Sequence, residues 1–221
     1  MNKPWHYFLG EGFLIVFSIL LALGVNEWRQ RSGQYAEEQK AVADIAVELL
    51  ENQKLLEGVP DYHRAVAADL NKAVRALSNP EAEETRTPIE IFMGLESLQP
   101  TVIIKQGPQD VSWQTAKDRG VVARFEYDTA KTLSLTYDAL LPGINDLYEE
   151  ISRSLIRYEM YKAEDQAAAL GPLVALFFEL SARESVLISQ LDKSLAELRE
   201  DYPKSAKKAA PSPSSGEPEP H

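Results

Sequence analysis

The sequence predicts an all-α protein, with one N-terminal transmembrane helix followed by an antiparallel helical bundle of about four main helices. Three observations lead there. An apolar run, FLGEGFLIVFSILLALGV, stands near the start of the chain. Four later stretches repeat apolar residues at three-to-four spacing, the period of an amphipathic helix. Proline or glycine punctuates these stretches at Gly58-Val59-Pro60, Pro80, Pro142-Gly143 and Gly171-Pro172. Such breaks favour an intramolecular bundle over an oligomeric coiled coil, whose signature is unbroken heptads.

The apolar run covers about 18 residues, Phe8 to Val25, with a single charge at Glu11, and Trp5, Tyr7 and Trp28 bracket it where interfacial aromatics belong. At about 1.5 Å per residue, Trp5 to Trp28 reaches roughly 35 Å, enough to cross the hydrocarbon. A cleaved signal peptide is the rival reading, with Lys3 in a short basic region and Ala22 and Gly24 near a cleavage position. Against it, Glu11 abuts the apolar run, and the run passes into Asn26-Glu27-Trp28-Arg29 without a turn-rich segment. Glu11 has two readings: a carboxyl that reaches the nearer interface, or one that faces another helix. Glu11, Ile15, Ser18, Ala22 and Val25 share a face by helical spacing. Within it, Ser18-x-x-x-Ala22 is a pair of small residues that lets helices approach, so Glu11, Ser18 and Ala22 are the candidate helix-association residues. The charge rule, weighing Lys3 against Arg29, Arg31 and Lys40, taken literally puts the domain in the cytoplasm; the simplest translocation of an N-terminal signal-anchor places it instead in the periplasm or at the cell exterior.

The chain divides into an anchor (1–32, span about 8–28), a helical domain (33–202) and a tail (203–221) that reads as disordered, because PKSAKKAAPSPSSGEPEPH has no core-forming residue. Gln34 to Glu57 is one helix, with Val42, Ile45, Leu49 and Leu56 in its apolar stripe and Asn52 among them; Ser32-Gly33 is the one place that could separate it from the anchor. Asp61 is a candidate cap for a helix from Tyr62 to Leu77, carrying Val66, Leu70 and Ala73, with His63 at its surface. Pro88 opens a short helix with Ile91 and Phe92. Thr101 to Lys105 (TVIIK) reads as extended and able to pair with VVARF at 121–125. Between them Asp110 or Ser112 caps a short helix that Gly120 ends. A long seam from Ala130 through Leu133, Tyr137, Ile144, Leu147 and Ile151 to Tyr158 is interrupted at Pro142, where a kink or break is expected. The last helix follows Gly171-Pro172 with Leu173, Phe177, Leu180, Leu187 and Leu191, and Glu184 in that seam is expected to be exposed.

Composition narrows the chemistry. A net charge of −11 argues against nucleic acid, and the absence of cysteine excludes disulfides, iron–sulfur ligation and thiolate nucleophiles. Of the three histidines, His6 falls at the membrane interface and His221 in the tail, so no histidine ligand or catalytic cluster is expected. The phosphate-binding, dinucleotide-binding, nucleophile-elbow and zinc-hydrolase motifs do not occur. No cofactor or metal is expected, and an enzyme is the weaker class. Tyr127, Tyr137, Tyr148, Tyr158 and Tyr161 fall in one region and are either core residues or the lining of a pocket.

The most distinctive pattern is Trp113-x-Thr115-Ala116-Lys117-x-x-Gly120. Together with IVFSILLALGVNEWRQ (Ile15 to Gln30), it resembles a family of uncharacterised bacterial single-pass membrane proteins, with an N-terminal anchor and a helical domain of unknown function. The resemblance covers the anchor and the middle of the domain, and it implies an inner-membrane location; it supplies no activity, so no catalytic residue is carried over. Trp113 and Tyr137 are the candidate ligand or partner contacts. The resulting expectation is a non-enzymatic, membrane-anchored interaction module, whose partners are the lipid bilayer and a second copy or another membrane protein. The alternative is a tethered sensor that binds a small ligand inside its bundle, near Trp113 and the tyrosines.

Overall fold

The structure, a computed structural model, describes residues 5–79, 84–98, 107–162 and 164–209, with side chains between 13 and 206 in those ranges. TVIIK lies outside the described residues. Everything described is helix or short connection, and the first helix sets the shape. α1 (Trp5–Leu56) is an unbroken helix of 52 residues, about 78 Å long at about 1.5 Å per residue. The helix runs through Ser32-Gly33, the one place where a break could have fallen. A single mid-helix glycine costs only about 1 kcal/mol against alanine, and Arg31 pairs with Glu27 one turn earlier across the approach to it. From Phe13 to Val25 the large apolar side chains are 50–73% exposed. α1 is long and apolar enough to cross a membrane. Past Tyr35 the helix gains a buried face, and Val42, Ile45, Leu49, Asn52 and Leu56 form it, as their spacing predicts.

Gly58, at φ 72°, turns the chain into α2 (Val59–Leu77). This left-handed conformation suits glycine. Because Pro60 occupies the first turn, Asp61 lies inside the helix and is not its cap. After α2 come α3 (Pro88–Met93), opened by a Thr87/Glu90 capping box, and α4 (Val111–Asp118), ended by Gly120 at φ 67°. α5 (Tyr127–Ser134), a π-helical segment (Leu135–Leu140) and α6 (Leu141–Leu155) follow as one rod. α7 (Gln166–Asp201) is a spine of 36 residues, and α8 (Pro203–Ala209) closes the described chain.

Side-chain bonds show how these rods align. Gln53 meets Asp192, while His63 meets Glu184 and Ser181 meets the Pro60 carbonyl, so α1 and α2 lie in series along α7 with opposite direction. Thr129 bonds Asp201, Thr136 bonds Ser194 and Tyr148 bonds Glu184, so α5, the π segment and α6 form a second series beside it. The result is three ranks around one core, with α1 and α2 sharing one of them. α4 packs beside α1, and α3 beside α7.

Four further expectations change. The break at Pro172 does not occur, and Pro172 sits inside α7. A helical proline costs about 3 kcal/mol, but Leu170, Leu173 and Phe177 are all buried around it, at about 1.5–3 kcal/mol each. Near Pro142 the rod widens into the π segment, an arrangement that re-routes the hydrogen bonds a proline interrupts. VVARF contains a 3₁₀ turn at Val122–Arg124 and no strand. The chain also stays helical beyond Pro203: Ser205 and Ala206 are buried, Ser205 bonds Gln39 of α1, and this part of the expected disordered tail is packed.

Candidate functional site

In an all-helical core with few histidines and no cysteine, any chemistry has to come from polar groups the fold buries. Two clusters of these stand out, one on each side of the α1–α2 junction.

The first gathers α1, α4 and the π segment. Glu48, 6% exposed, sends its Oε2 across to accept the Ser112 N–H at 2.7 Å. That donor is one of the amides left free at the start of α4, so a carboxylate from another helix caps it. Asp110, expected to serve as the cap, instead accepts from Gln114 Nε2 at 2.9 Å. One turn along α1, Asn52 holds both backbone groups of Gln109: its Nδ2 donates to the carbonyl at 2.7 Å, and its Oδ1 accepts from the N–H at 2.8 Å. Asp138 collects three donors, Trp113 Nε1 at 3.0 Å, Lys117 Nζ at 2.7 Å and Ser134 Oγ at 3.1 Å. Burial raises the Asp138 pKa, but these bonds outweigh it and hold the carboxyl below its usual value.

Trp113 and Tyr137, the two candidate contacts, are brought together. Their rings stack at 5.6 Å and 11°, and both are essentially buried. Lys117 lies 5.6 Å above the Trp113 ring. The Trp113-x-x-x-Lys117 spacing therefore puts an indole N–H and an ammonium on one carboxylate. Tyr137 Oη and Glu48 Oε1 are buried without a hydrogen-bond partner. Burial first, then the nearby Glu48 charge, pushes the Tyr137 hydroxyl far above its ordinary pKa, so it stays protonated.

The second cluster joins all three ranks. His63 Nδ1 lies 2.8 Å from Glu184 Oε2, and Tyr148 Oη donates to Glu184 Oε1 at 2.7 Å. Both His63 and Glu184, expected at the surface, are buried, at 3% and 0% exposure. Tyr62, Tyr148 and Phe177 surround the imidazole at ring separations of 5.2–5.8 Å. Burial, then Glu184, raises the Tyr148 pKa strongly. A histidine–carboxylate pair can relay protons, but here both partners are buried, and the arrangement locks α2, α6 and α7 together. Among the described residues, no group of three or more His, Asp or Glu is placed to hold a metal.

The tyrosines do not line one pocket. Tyr127, Tyr158 and Tyr161 are 76%, 69% and 54% exposed, while Tyr137 and Tyr148 belong to separate clusters. On the N-terminal part of α1, Ser18 Oγ donates back to the Leu14 carbonyl at 2.8 Å, and Ser18 and Ala22 lie on an uncovered helix. The Glu11 side chain lies outside those described.

Open surface is found instead on the side of α1 facing away from the core. A cleft of about 350 Å³ runs between α1 and α4, lined by Asp44, Val47, Val111, Ser112 and Thr115. Clefts of about 630 and 760 Å³ lie along α1 below and above it, and all three meet at Val47.

Fold and clusters define an all-helical protein whose N-terminal helix, long and apolar enough to cross a membrane, is continuous with its domain. Comparison with family models, with curated proteins and with solved structures gives no match.

Proposed function

We propose that this chain is a membrane-anchored, non-enzymatic helical module that acts by binding a protein partner. One observation carries the reading: α1 is a single helix from its apolar segment into the domain, and the face it leaves open there is a groove. The buried polar groups support it, since nearly all of their bonding is spent fixing helices to one another. The resemblance of the anchor and of the Trp113 motif to bacterial single-pass membrane proteins points to an inner-membrane location, and translocation behind an N-terminal signal-anchor points to a periplasmic domain.

Two measurements test this. Alkaline carbonate leaves the full chain in the membrane pellet, and protease added to intact spheroplasts digests the domain; release by carbonate contradicts the anchor, and protection contradicts the orientation. A photo-crosslinking residue at Val111, on the groove wall and 63% exposed, captures protein in membranes, whereas one at Val186, 55% exposed on α7, does not. Equal capture at both positions contradicts a specific interaction face.

A second reading, a tethered sensor for a small ligand, draws on the unpaired Tyr137 Oη and Glu48 Oε1 beside Trp113. It ranks behind because the adjoining cleft is lined by neither Trp113 nor Tyr137. A small-molecule thermal-shift screen on the full chain in micelles checks it: the sensor reading requires at least one saturable stabilising ligand.

A further inference from the structure

We propose that α8 is a lipid-facing foot, whose lysines, together with Arg29 of α1, hold the base of the domain against anionic phospholipid headgroups of the bilayer that α1 enters. The inference goes beyond the interaction-module reading and rests on the anchor that reading assigns.

Two contacts fix the height of α8. Gln53 of α1 meets Asp192 of α7, and Gln39 of α1 meets Ser205 of α8. Nearly equal stretches of chain separate these contacts on the two sides, so α8 prolongs the descent of α7 along α1 beyond the bend at Tyr202. In that register Ala209, the last residue of α8, stands level with Tyr35, about 10 Å along α1 from Trp28. With Trp28 at the hydrocarbon edge, a headgroup layer of about 6 Å leaves the last turn of α8 within one Debye length, about 8 Å, of the lipid surface.

Charge is sorted by that height. Ser205 and Ala206 are the buried side of α8, and by helical register the positions of Lys204, Lys207 and Lys208 fall on its other half. Arg29 and Lys204 are exposed and have no ion pair among the described residues. The acids nearest the membrane are largely neutralised, Glu27 by Arg31 and Glu37 by Arg124, which leaves Glu38. A larger acidic group, with Asp128, Glu197, Glu200 and Asp201, lines a cleft between α5 and α7 and stands higher. Asp201 is level with Asp44, roughly 24 Å from Trp28 and more than about two Debye lengths above the headgroups. A chain with a net charge of −11 therefore turns a basic end toward the bilayer, the arrangement by which juxtamembrane lysines bind anionic lipid.

The test uses the full chain in nanodiscs of phosphatidylcholine, alone or mixed with phosphatidylglycerol, with amide exchange followed by mass spectrometry. Phosphatidylglycerol is expected to slow exchange across residues 203–209 by at least about fivefold, the factor that one lysine near an anionic surface contributes. Residues 88–93, beside the start of α7 at the far end of the domain, are the unchanged control. Salt at about 1 M, where the Debye length falls to about 3 Å, is expected to remove the difference. Combining Lys204→Gln, Lys207→Gln and Lys208→Gln is expected to remove it at low salt. Equal exchange in the two lipids, or a difference that survives high salt, overturns the proposal, and neither result depends on the variant folding. If the lipids give equal exchange while alkaline carbonate leaves the chain in the membrane, the lipid contact falls and the anchored module stands; if carbonate releases the chain, both fall.

Discussion

Glu184 holds two donors from two other helices in a site closed to solvent, which makes its cluster the most demanding test of the core. Replacing His63 with Phe leaves Glu184 Oε2 without its partner at 2.8 Å in a position that is 0% exposed. Removing one member of a buried pair costs about 3–5 kcal/mol. Tyr148→Phe removes one bond and strands Glu184 Oε1, at about 1–3 kcal/mol. Glu184→Leu strands both donors, at about 1–3 kcal/mol each, offset by about 2 kcal/mol of new apolar burial. Replacing all three with apolar residues removes every stranded group, so the triple variant is expected within about 2 kcal/mol of the parent. Thermal unfolding of the full chain in micelles, followed by circular dichroism, reads this as a midpoint drop of roughly 6–20 °C for His63→Phe, with most of it recovered in the triple variant. A His63→Phe loss under about 1 kcal/mol, or single losses that simply add in the triple variant, refutes the reasoning.

The remaining predictions concern the first cluster. Asn52→Leu strands both backbone groups of Gln109 and is expected to cost about 2–4 kcal/mol, with amide exchange rising first across residues 109–118; unchanged exchange there contradicts the assigned role. Asp138 has a folded pKa below its unfolded value of about 3.9. Its bonds therefore add stability above that pH and lose it as pH falls through the folded pKa. Asp138→Asn should accordingly flatten the acid limb of the stability curve, and an unaltered limb refutes the assignment. Gly120→Ala forces a side chain into φ 67° and is expected to cost about 1 kcal/mol, read as a lower unfolding midpoint.

Much of the fold was legible from periodicity. The stripe Val42, Ile45, Leu49 and Leu56 is the buried face of α1, and Leu173, Phe177, Leu180, Leu187 and Leu191 are the buried face of α7, because spacing alone decides which residues of a helix can share a core. What local punctuation suggested was less reliable. Pro172 and Gly33 do not end helices, since burial on the shared face outweighs the one and a single glycine costs too little for the other.

The polar clusters were half legible. Trp113, Lys117 and Tyr137 were visible as a pattern, but Asp138, which binds two of them, was not singled out. Glu184 was misplaced because a carboxylate in an apolar seam is ordinarily solvated, and its partner, His63, is supplied by a helix 121 positions away. The clue was present: Glu184 falls on the same helical line as Leu180, Leu187 and Leu191. Likewise, no local signal marks Glu48 as the cap of α4, because the contact spans 64 positions.

The rigid tether between the apolar segment and the domain is tested most directly by one distance. With spin labels at Leu23→Cys and Asp44→Cys in the full chain, diluted with unlabelled chain in lipid nanodiscs, pulsed electron resonance reads the separation across Ser32-Gly33. An unbroken helix gives a single narrow distribution near about 32 Å; a broad or markedly shorter distribution contradicts it.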